Sequence, residues 1–232
     1  MQVAVVASPT AANVSWLAPT SNGGAAITGY TASAFSASSG GTLSSTCTTA
    51  ALTCSIASLT NGTTYYVSVV ATNAAGSSVA TSPRISVIPA ALPGAPTITG
   101  ITGGNAYLSV AFSAGTADSN APITGYQYSS DNGATWVNAS GTTSPLLASS
   151  LTNGTTYTVK LRAVSAIGNG AASSGVSGTP LTVPSNVDPG TISYTAGNAN
   201  VIVSWTAPAA NGSSITNTTV TAFSALSVSY TH

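Results

Sequence analysis

Residues 59–65 read Leu-Thr-Asn-Gly-Thr-Thr-Tyr, and the same seven residues return at 151–157, 92 positions later. A second motif, Ile-Thr-Gly-Tyr, stands at 27–30 and again at 123–126, 96 positions apart. A weaker echo, Ile-Thr-Asn, follows at 215–217. Solenoid units repeat every 20–50 residues or so, whereas a period a little over 90 residues is that of a whole small domain. The chain is therefore predicted to be an array of similar domains.

Within each repeat the pattern predicts β-strands. Alternating apolar runs end in a large aromatic at three corresponding positions, Trp16, Phe112 and Trp205. After Tyr157, apolar residues alternate with polar ones that include Lys160 and Arg162, as an antiparallel sheet with one wet face requires. Asn-Gly pairs, which favour tight turns, separate the runs. About seven short strands in 90 residues predict an all-β sandwich.

Charge is nearly absent from this chain. Among 232 residues there are three Lys or Arg and three Asp or Glu, or 3% charged residues, against about 25% in an average protein. Without clustered cations we expect no nucleic-acid partner and no attraction to anionic lipid. The single His232 stands at the last position, so no Ser-His-Asp set can form. We therefore predict a non-enzyme that uses no cofactor and no metal.

Composition nevertheless predicts a folded chain. Hydrophobic residues make up 43% of it, whereas disordered chains combine low hydrophobicity with high charge. No apolar run approaches the 18 or so residues of a membrane helix, so we expect no membrane insertion. Residues 1–7 lack the basic start of a signal peptide, which leaves an export signal already removed or a fragment as the alternatives.

With these motifs in view, the sequence resembles tandem fibronectin type III domains, Ig-like β-sandwiches, of a bacterial secreted or cell-surface protein. The aromatic followed by Ala-Pro after one residue, the Ile-Thr-Gly-Tyr motif and the Asn-Gly-Thr-Thr-Tyr turn carry the resemblance, together with a Pro-rich linker at 89–96. It implies core aromatics at Trp16, Phe112 and Trp205. It also implies tyrosine corners at Tyr65 and Tyr157, whose hydroxyls bond to nearby backbone. The expected domains are residues 1–90, 93–183 and 184–232, two complete and one partial.

The third repeat departs from this pattern. It should contain strands A to C only, because the chain ends before the strands that would form the opposing sheet. Its apolar residues Val201, Val203, Trp205 and Ile215 would then lack a partner. Three alternatives remain: a truncated fragment, a disordered tail, or a half-domain completed by another subunit through strand addition.

Cys47 and Cys54 are the only cysteines. A zinc site would need further Cys or His ligands, and the redox spacing of two intervening residues is absent. We therefore expect a disulfide that staples a hairpin before strand E. Such a bond indicates an oxidising, extracellular location.

Residues 129–136, Ser-Ser-Asp-Asn-Gly-Ala-Thr-Trp, resemble the Asp-box hairpin of sialidase propellers. One copy does not make a propeller, and we interpret the segment as a turn in which Asp131 accepts backbone N–H bonds. Asp118 is likewise interpreted as a turn cap rather than a calcium ligand, which needs more carboxylates.

Together these observations predict a structural, non-catalytic extracellular or bacterial cell-surface protein, a subunit or stalk of a surface filament, sheath or layer. Its partners would be further copies of itself or other surface proteins. One alternative is an adhesin or carbohydrate-binding accessory module, with Trp136, Tyr126 and Tyr128 as candidate glycan-stacking residues. Another is a set of spacer domains in a larger secreted hydrolase.

Overall fold

The chain forms two complete β-sandwiches, here domain 1 and domain 2, and a smaller third unit, as seen in a computed structural model that describes residues 1–223. The prediction of an all-β fold is confirmed, since the only helical element in this described range is one short 3₁₀ turn at Pro189–Thr191. The predicted third domain, 184–232, extends beyond the described residues, and so does His232.

Domain 1 has eight strands in two antiparallel sheets. The strands are β1 (Val3–Ser8), β2 (Ala11–Trp16), β3 (Ile27–Phe35), β4 (Leu43–Thr49), β5 (Thr53–Ile56), β6 (Tyr65–Asn73), β7 (Gly76–Ser77) and β8 (Ile85–Val87). One sheet has the order β1-β2-β5, and the other has the order β4-β3-β6-β7 with β8 paired to β6. The two sheets enclose a core of their own.

Domain 2 repeats this arrangement strand by strand. Its strands are β9 (Thr97–Gly104), β10 (Tyr107–Ser113), β11 (Ile123–Ser129), β12 (Val137–Asn138), β13 (Leu146–Ser149), β14 (Tyr157–Ser165), β15 (Gly168–Ala172) and β16 (Val176–Gly178). The sheets have the orders β9-β10-β13 and β12-β11-β14-β15, with β16 paired to β14. A second, separate core lies between them.

Alternation along the strands builds these cores. In β14, Val159, Leu161 and Ala163 are fully buried, while Lys160 and Arg162 between them face outward, as predicted. One aromatic from each sheet meets the other across the core. The ring centroids of Trp16 and Tyr30 lie 5.4 Å apart, and those of the corresponding Phe112 and Tyr126 lie 4.7 Å apart. Such pairs stabilise a core beyond their buried area, by about 0.5–1.5 kcal/mol.

The repeated Asn-Gly turn ties the two sheets together. Asn61 accepts the backbone N–H of Thr10 through Oδ1 at 2.8 Å, and Asn153 accepts that of Ala106 at the same distance. The glycines that follow, Gly62 and Gly154, both have φ of +81°, which a side chain would disfavour. The repeated sequence therefore encodes one and the same contact in both domains.

As far as residue 223, the third unit contains two paired strands, β17 (Ser193–Gly197) and β18 (Asn200–Ser204). The prediction of strands A to C is corrected here, because no strand forms over residues 205–223, where Ile215 lies. In domains 1 and 2 strand C pairs with a partner strand from later in the chain, β6 or β14. No counterpart of that partner lies within the described residues, so a strand at Ile215 would lack its ladder.

Candidate functional site

The two tyrosine corners have the geometry that the resemblance implies. The hydroxyl of Tyr65 accepts the backbone N–H of Thr60 at 3.1 Å, and the hydroxyl of Tyr157 accepts that of Thr152 at 2.9 Å. The bond from Thr152 lowers the pKa of Tyr157, because a phenolate would accept it more strongly. These residues fix the turn before the long strand of each domain.

Cys47 and Cys54 form a disulfide, as predicted. The expectation that it staples a hairpin is corrected, however. Cys47 lies in β4 and Cys54 in β5, and these strands belong to different sheets. The bond therefore joins the two sheets of domain 1 at one edge, which is a structural role.

The Asp-box segment is a turn, as interpreted from its sequence. Asp131 accepts the N–H of Thr135 at 2.9 Å and the Thr135 hydroxyl at 2.5 Å. The hydroxyl of Ser129 also donates to its carboxylate at 2.6 Å. These bonds, that from Ser129 first, hold the pKa of Asp131 well below its usual range. Every oxygen of this carboxylate is thus engaged within the turn.

The candidate glycan-stacking surface is wrong for two of its three residues. Tyr126 and Tyr128 are buried in the core of domain 2, because the alternation of β11 turns them inward and Gln127 outward. Trp136 is half-buried, and the guanidinium of Arg162 covers its ring at 4.2 Å from the centroid. No row of exposed aromatics is formed by these residues.

Among the described residues of the third unit, the apolar side chains do not lie in a closed core. Trp205 is half-buried, unlike its buried counterparts Trp16 and Phe112, which corrects its assignment as a core aromatic. Val201 is 59% exposed, whereas Ala12 and Leu108, its counterparts in domains 1 and 2, are fully buried. Val203 and Ile215 are half-buried. The unit therefore exposes positions that the complete domains cover with a second sheet.

The most specific arrangement outside the cores is the joint between domains 1 and 2. The N–H of Gly62, in the Asn-Gly turn of domain 1, donates to the carbonyl of Pro89 at 2.7 Å. Two residues later, the N–H of Ala91 donates to Oδ2 of Asp118 at 2.8 Å, in the loop between β10 and β11. The linker is thus bonded to both domains, and Pro89 itself is fully buried.

Past Ala91 the linker lies in a groove of domain 2. The N–H of Gly94 donates to the carbonyl of Thr116 at 2.9 Å, and the carbonyl of Pro93 accepts from Ala171 at 3.3 Å. Backbone approaches are so close that a Cβ on Gly115 would collide with the carbonyl of Gly94. One on Gly170 would likewise collide with the carbonyl of Pro93. These glycines are needed for close approach, since neither has a positive φ.

The joint between domain 2 and the third unit repeats the first one. Here Gly154 donates to the carbonyl of Pro180 at 2.9 Å, Thr182 to the carbonyl of Asn211 at 3.0 Å, and Ser185 to that of Ala209 at 3.1 Å. The donors of the first joint were Gly62, Ala91 and Gly94, which stand 91 or 92 positions earlier. The spacing of the donors along the linker is therefore conserved between the two joints of this chain.

The two joints differ in one acceptor. In the first joint the linker N–H meets a carboxylate oxygen of Asp118, and in the second it meets a backbone carbonyl. The bond from Ala91 is the largest of the causes that lower the pKa of Asp118. Asp118 also caps its own loop by accepting the N–H of Asn120 at 2.9 Å, as interpreted from the sequence. Its contact with the linker cannot be predicted from the sequence alone.

In the described part of the chain, no group of three or more His, Cys, Asp or Glu side chains could hold a metal ion. Over the same residues no helix is long and apolar enough to cross a membrane.

The family model of the fibronectin type III domain matches residues 1–88. Residues 1–88 are a fibronectin type III domain. A crystal structure of the FN1-FN3 domains of chicken CNTN1 is similar at 17% identity, covering 88% of this chain and 73% of that one, with a TM-score of 0.34. No curated protein matches this chain.

Domain 2 shares the features that define the fibronectin type III domain at 1–88. It has the same strand order in both sheets, the same Asn-Gly-Thr-Thr-Tyr turn and the same tyrosine bond. Domains 1 and 2 are thus tandem β-sandwiches of one topology, that of the fibronectin type III domain at 1–88. Such domains are commonly structural or adhesive modules.

Proposed function

We propose that this chain is a structural, non-catalytic segment of an extracellular bacterial filament, sheath or surface layer, in which it acts as a stiff stalk. The observation that carries this proposal is the joint that recurs with the same donor spacing at both domain boundaries. A flexible linker would be free of bonds to its neighbours. Here each linker is hydrogen-bonded to the domain before it and to the unit after it.

The surface supports this role. The chain has only three Lys or Arg residues. Two of them contact aromatic rings: the guanidinium of Arg84 lies 3.6 Å from the centroid of the Phe35 ring, and that of Arg162 covers the ring of Trp136. A neutral surface rich in hydroxyl groups gives little electrostatic repulsion when copies pack closely. The disulfide supports an extracellular location, because such bonds persist in oxidising compartments.

The third unit supports self-assembly. Its strand β18 presents Val201 and Ile202 at 59% and 63% exposure, and Tyr194 of β17 is 77% exposed. At the position of Val201, domains 1 and 2 have Ala12 and Leu108, which are fully buried against a second sheet. We propose that another copy of the chain covers it, which would link stalks into a polymer.

Sedimentation velocity and negative-stain electron microscopy of the whole chain test this proposal. We expect concentration-dependent oligomers or filaments of the native chain, and Val201→Lys should shift them toward monomer. Val6→Lys is the matched control, because Val6 in β1 of domain 1 is 64% exposed, close to the 59% of Val201, and takes the same change of charge. A native chain that stays monomeric at all concentrations would contradict self-assembly. In that case two roles would remain for the chain: a stalk that does not polymerise, or spacer domains within a larger secreted hydrolase.

A further inference from the structure

Domain 1 carries an open groove where domain 2 holds its linker. The groove of domain 1 has a volume of about 380 Å³ and lies between the loop after β2 and the β6–β7 turn. Asn22, Asn73 and Gly76 are among its lining residues. In domain 2 the equivalent space lies between the loop after β10 and the β14–β15 turn, and Leu92, Pro93 and Gly94 fill it.

The walls of the two grooves correspond residue by residue. Gly76 and Gly168 stand 92 positions apart and have φ of +132° and +143°, so both turns have the same backbone shape. A Cβ at Gly168 would lie 3.4 Å from the side chain of Leu92, so this side chain packs against the β14–β15 turn. In domain 1, a Cβ at Gly76 would meet no atom within 4 Å, so nothing packs against the corresponding turn.

The loops on the other wall correspond as well. Asn22 accepts the N–H of Gly24 through Oδ1 at 3.0 Å, as Asp118 accepts that of Asn120 at 2.9 Å. The carbonyl of Asn22 also accepts from Ala25, as that of Asp118 accepts from Ala121. The loop that receives a linker in domain 2 therefore has the same turn in domain 1.

We infer that this groove of domain 1 is a docking site for an extended aliphatic-Pro-Gly or aliphatic-Pro-Ser segment, supplied as the linker of a fibronectin type III module placed ahead of domain 1. Both linkers of this chain have that composition, Leu92-Pro93-Gly94 and Val183-Pro184-Ser185, and both bond to the corresponding loop. Exposed Val79 extends the apolar edge of the groove, since it stands where Ala171 bonds to Pro93 in domain 2.

One sequence difference between the two grooves determines how closely a linker can approach domain 1. Ser78 stands where domain 2 has Gly170, and its hydroxyl accepts the N–H of Ala71 at 3.0 Å. A linker in domain 1 must therefore lie slightly farther from this strand than Pro93 does. The contacts with the loop of Asn22 remain available to it. The inference does not depend on the proposed stalk function, because the groove would bind such a segment in any tandem array.

A graft onto the whole chain tests this inference. Val3 pairs with Trp16 as Ile98 pairs with Phe112, so Met1 corresponds to Pro96. A second copy of residues 89–96 replaces Met1, so that these eight residues directly precede Gln2. In the matched control graft, Ser replaces the two residues that are copied from Leu92 and Pro93.

We expect the amide N–H of the grafted Gly to exchange about tenfold more slowly than in the control graft, as one or two net hydrogen bonds would give. Amide signals of Asn22 and Gly76 should shift in the native graft alone. Ala75→Trp, which fills the groove, should abolish both effects, and the unchanged signals of domain 2 report that the chain is folded. Equal exchange in the two grafts, with no shift at Asn22 or Gly76, would overturn the inference.

Discussion

The backbone N–H of Ala91, in the linker after domain 1, donates to the carboxylate of Asp118, in a loop of domain 2, at 2.8 Å. The linker therefore has a fixed partner in the next domain, in addition to the bond that Pro89 accepts from Gly62. These two anchors, on either side of the buried Ala90, restrict rotation between the domains. The mechanical character of the array is set at these few residues.

Removing the carboxylate should free the linker without unfolding either domain. In Asp118→Ala we expect the amide of Ala91 to exchange faster, because its acceptor is lost. The amide of Leu161, in the core of domain 2, should keep its protection. Hydrogen exchange followed by NMR measures both, and Ser119→Ala serves as the neighbouring control. Unchanged exchange at Ala91 would show that the carboxylate does not hold the linker.

The first joint should respond to acid and the second should not. The pKa of Asp118 is lower in the folded chain than its ordinary value, mainly because of the bond from Ala91, so this contact is present above that ordinary value. It is lost as the pH falls through the lowered pKa, below about 4. We expect the amide shift of Ala91 to move in that range. The amide of Thr182 should not move with it, because it bonds to a backbone carbonyl. Parallel titration of the two amides would contradict this difference.

The disulfide should stabilise domain 1 alone. Cys47 and Cys54 close a short loop, and loop entropy predicts a loss of about 2–3 kcal/mol in the free energy of unfolding when both are replaced by Ala. Calorimetry of the double variant should show a lower melting temperature for domain 1. The transition of domain 2 is the internal control, and a shift of both transitions would mean that the domains unfold as one unit.

Equivalent aromatics should differ in their contribution to stability. Phe112→Ala should cost domain 2 about 3–5 kcal/mol, because the ring is buried against Tyr126. Trp205→Ala removes the half-buried counterpart in the third unit, and we expect the melting of domains 1 and 2 to remain within about 0.5 kcal/mol of native. Chemical denaturation checks both. A large loss of domain stability in Trp205→Ala would show that the third unit packs as a core.

Much of the fold follows from local pattern. The repeat at 59–65 and 151–157 and the alternation after Tyr157 predict the strands and the turns, since each depends on neighbours in sequence. The tyrosine bonds are implied by the family resemblance. The inward position of Tyr126 and Tyr128 could also be predicted from the sequence, because Gln127 between them marks the outward face of the strand. Aromatic rings suit glycan stacking, but this chemistry is not evidence that the two side chains are exposed.

The joint could be predicted only in part. A proline recurs in each linker, at Pro89 and Pro180, and this spacing of 91 residues marks the boundary. The partners of the linker come from loops before and after it, however, and only the folded domains bring Gly62 and Asp118 within reach. The crossing of the disulfide between sheets was missed for the same reason, since spacing alone does not tell which sheet each strand joins.

The central claim, that the linker fixes domain 1 relative to domain 2, is tested most directly by residual dipolar couplings of the whole chain. We predict that the amides of both domains fit one alignment tensor with the orientation of the structure. In Gly115→Ala, whose new methyl group collides with Gly94, they should require two tensors of different magnitude. Gly125→Ala should behave as native, because a Cβ there meets nothing within 4 Å. Two unequal tensors in the native chain would contradict the account.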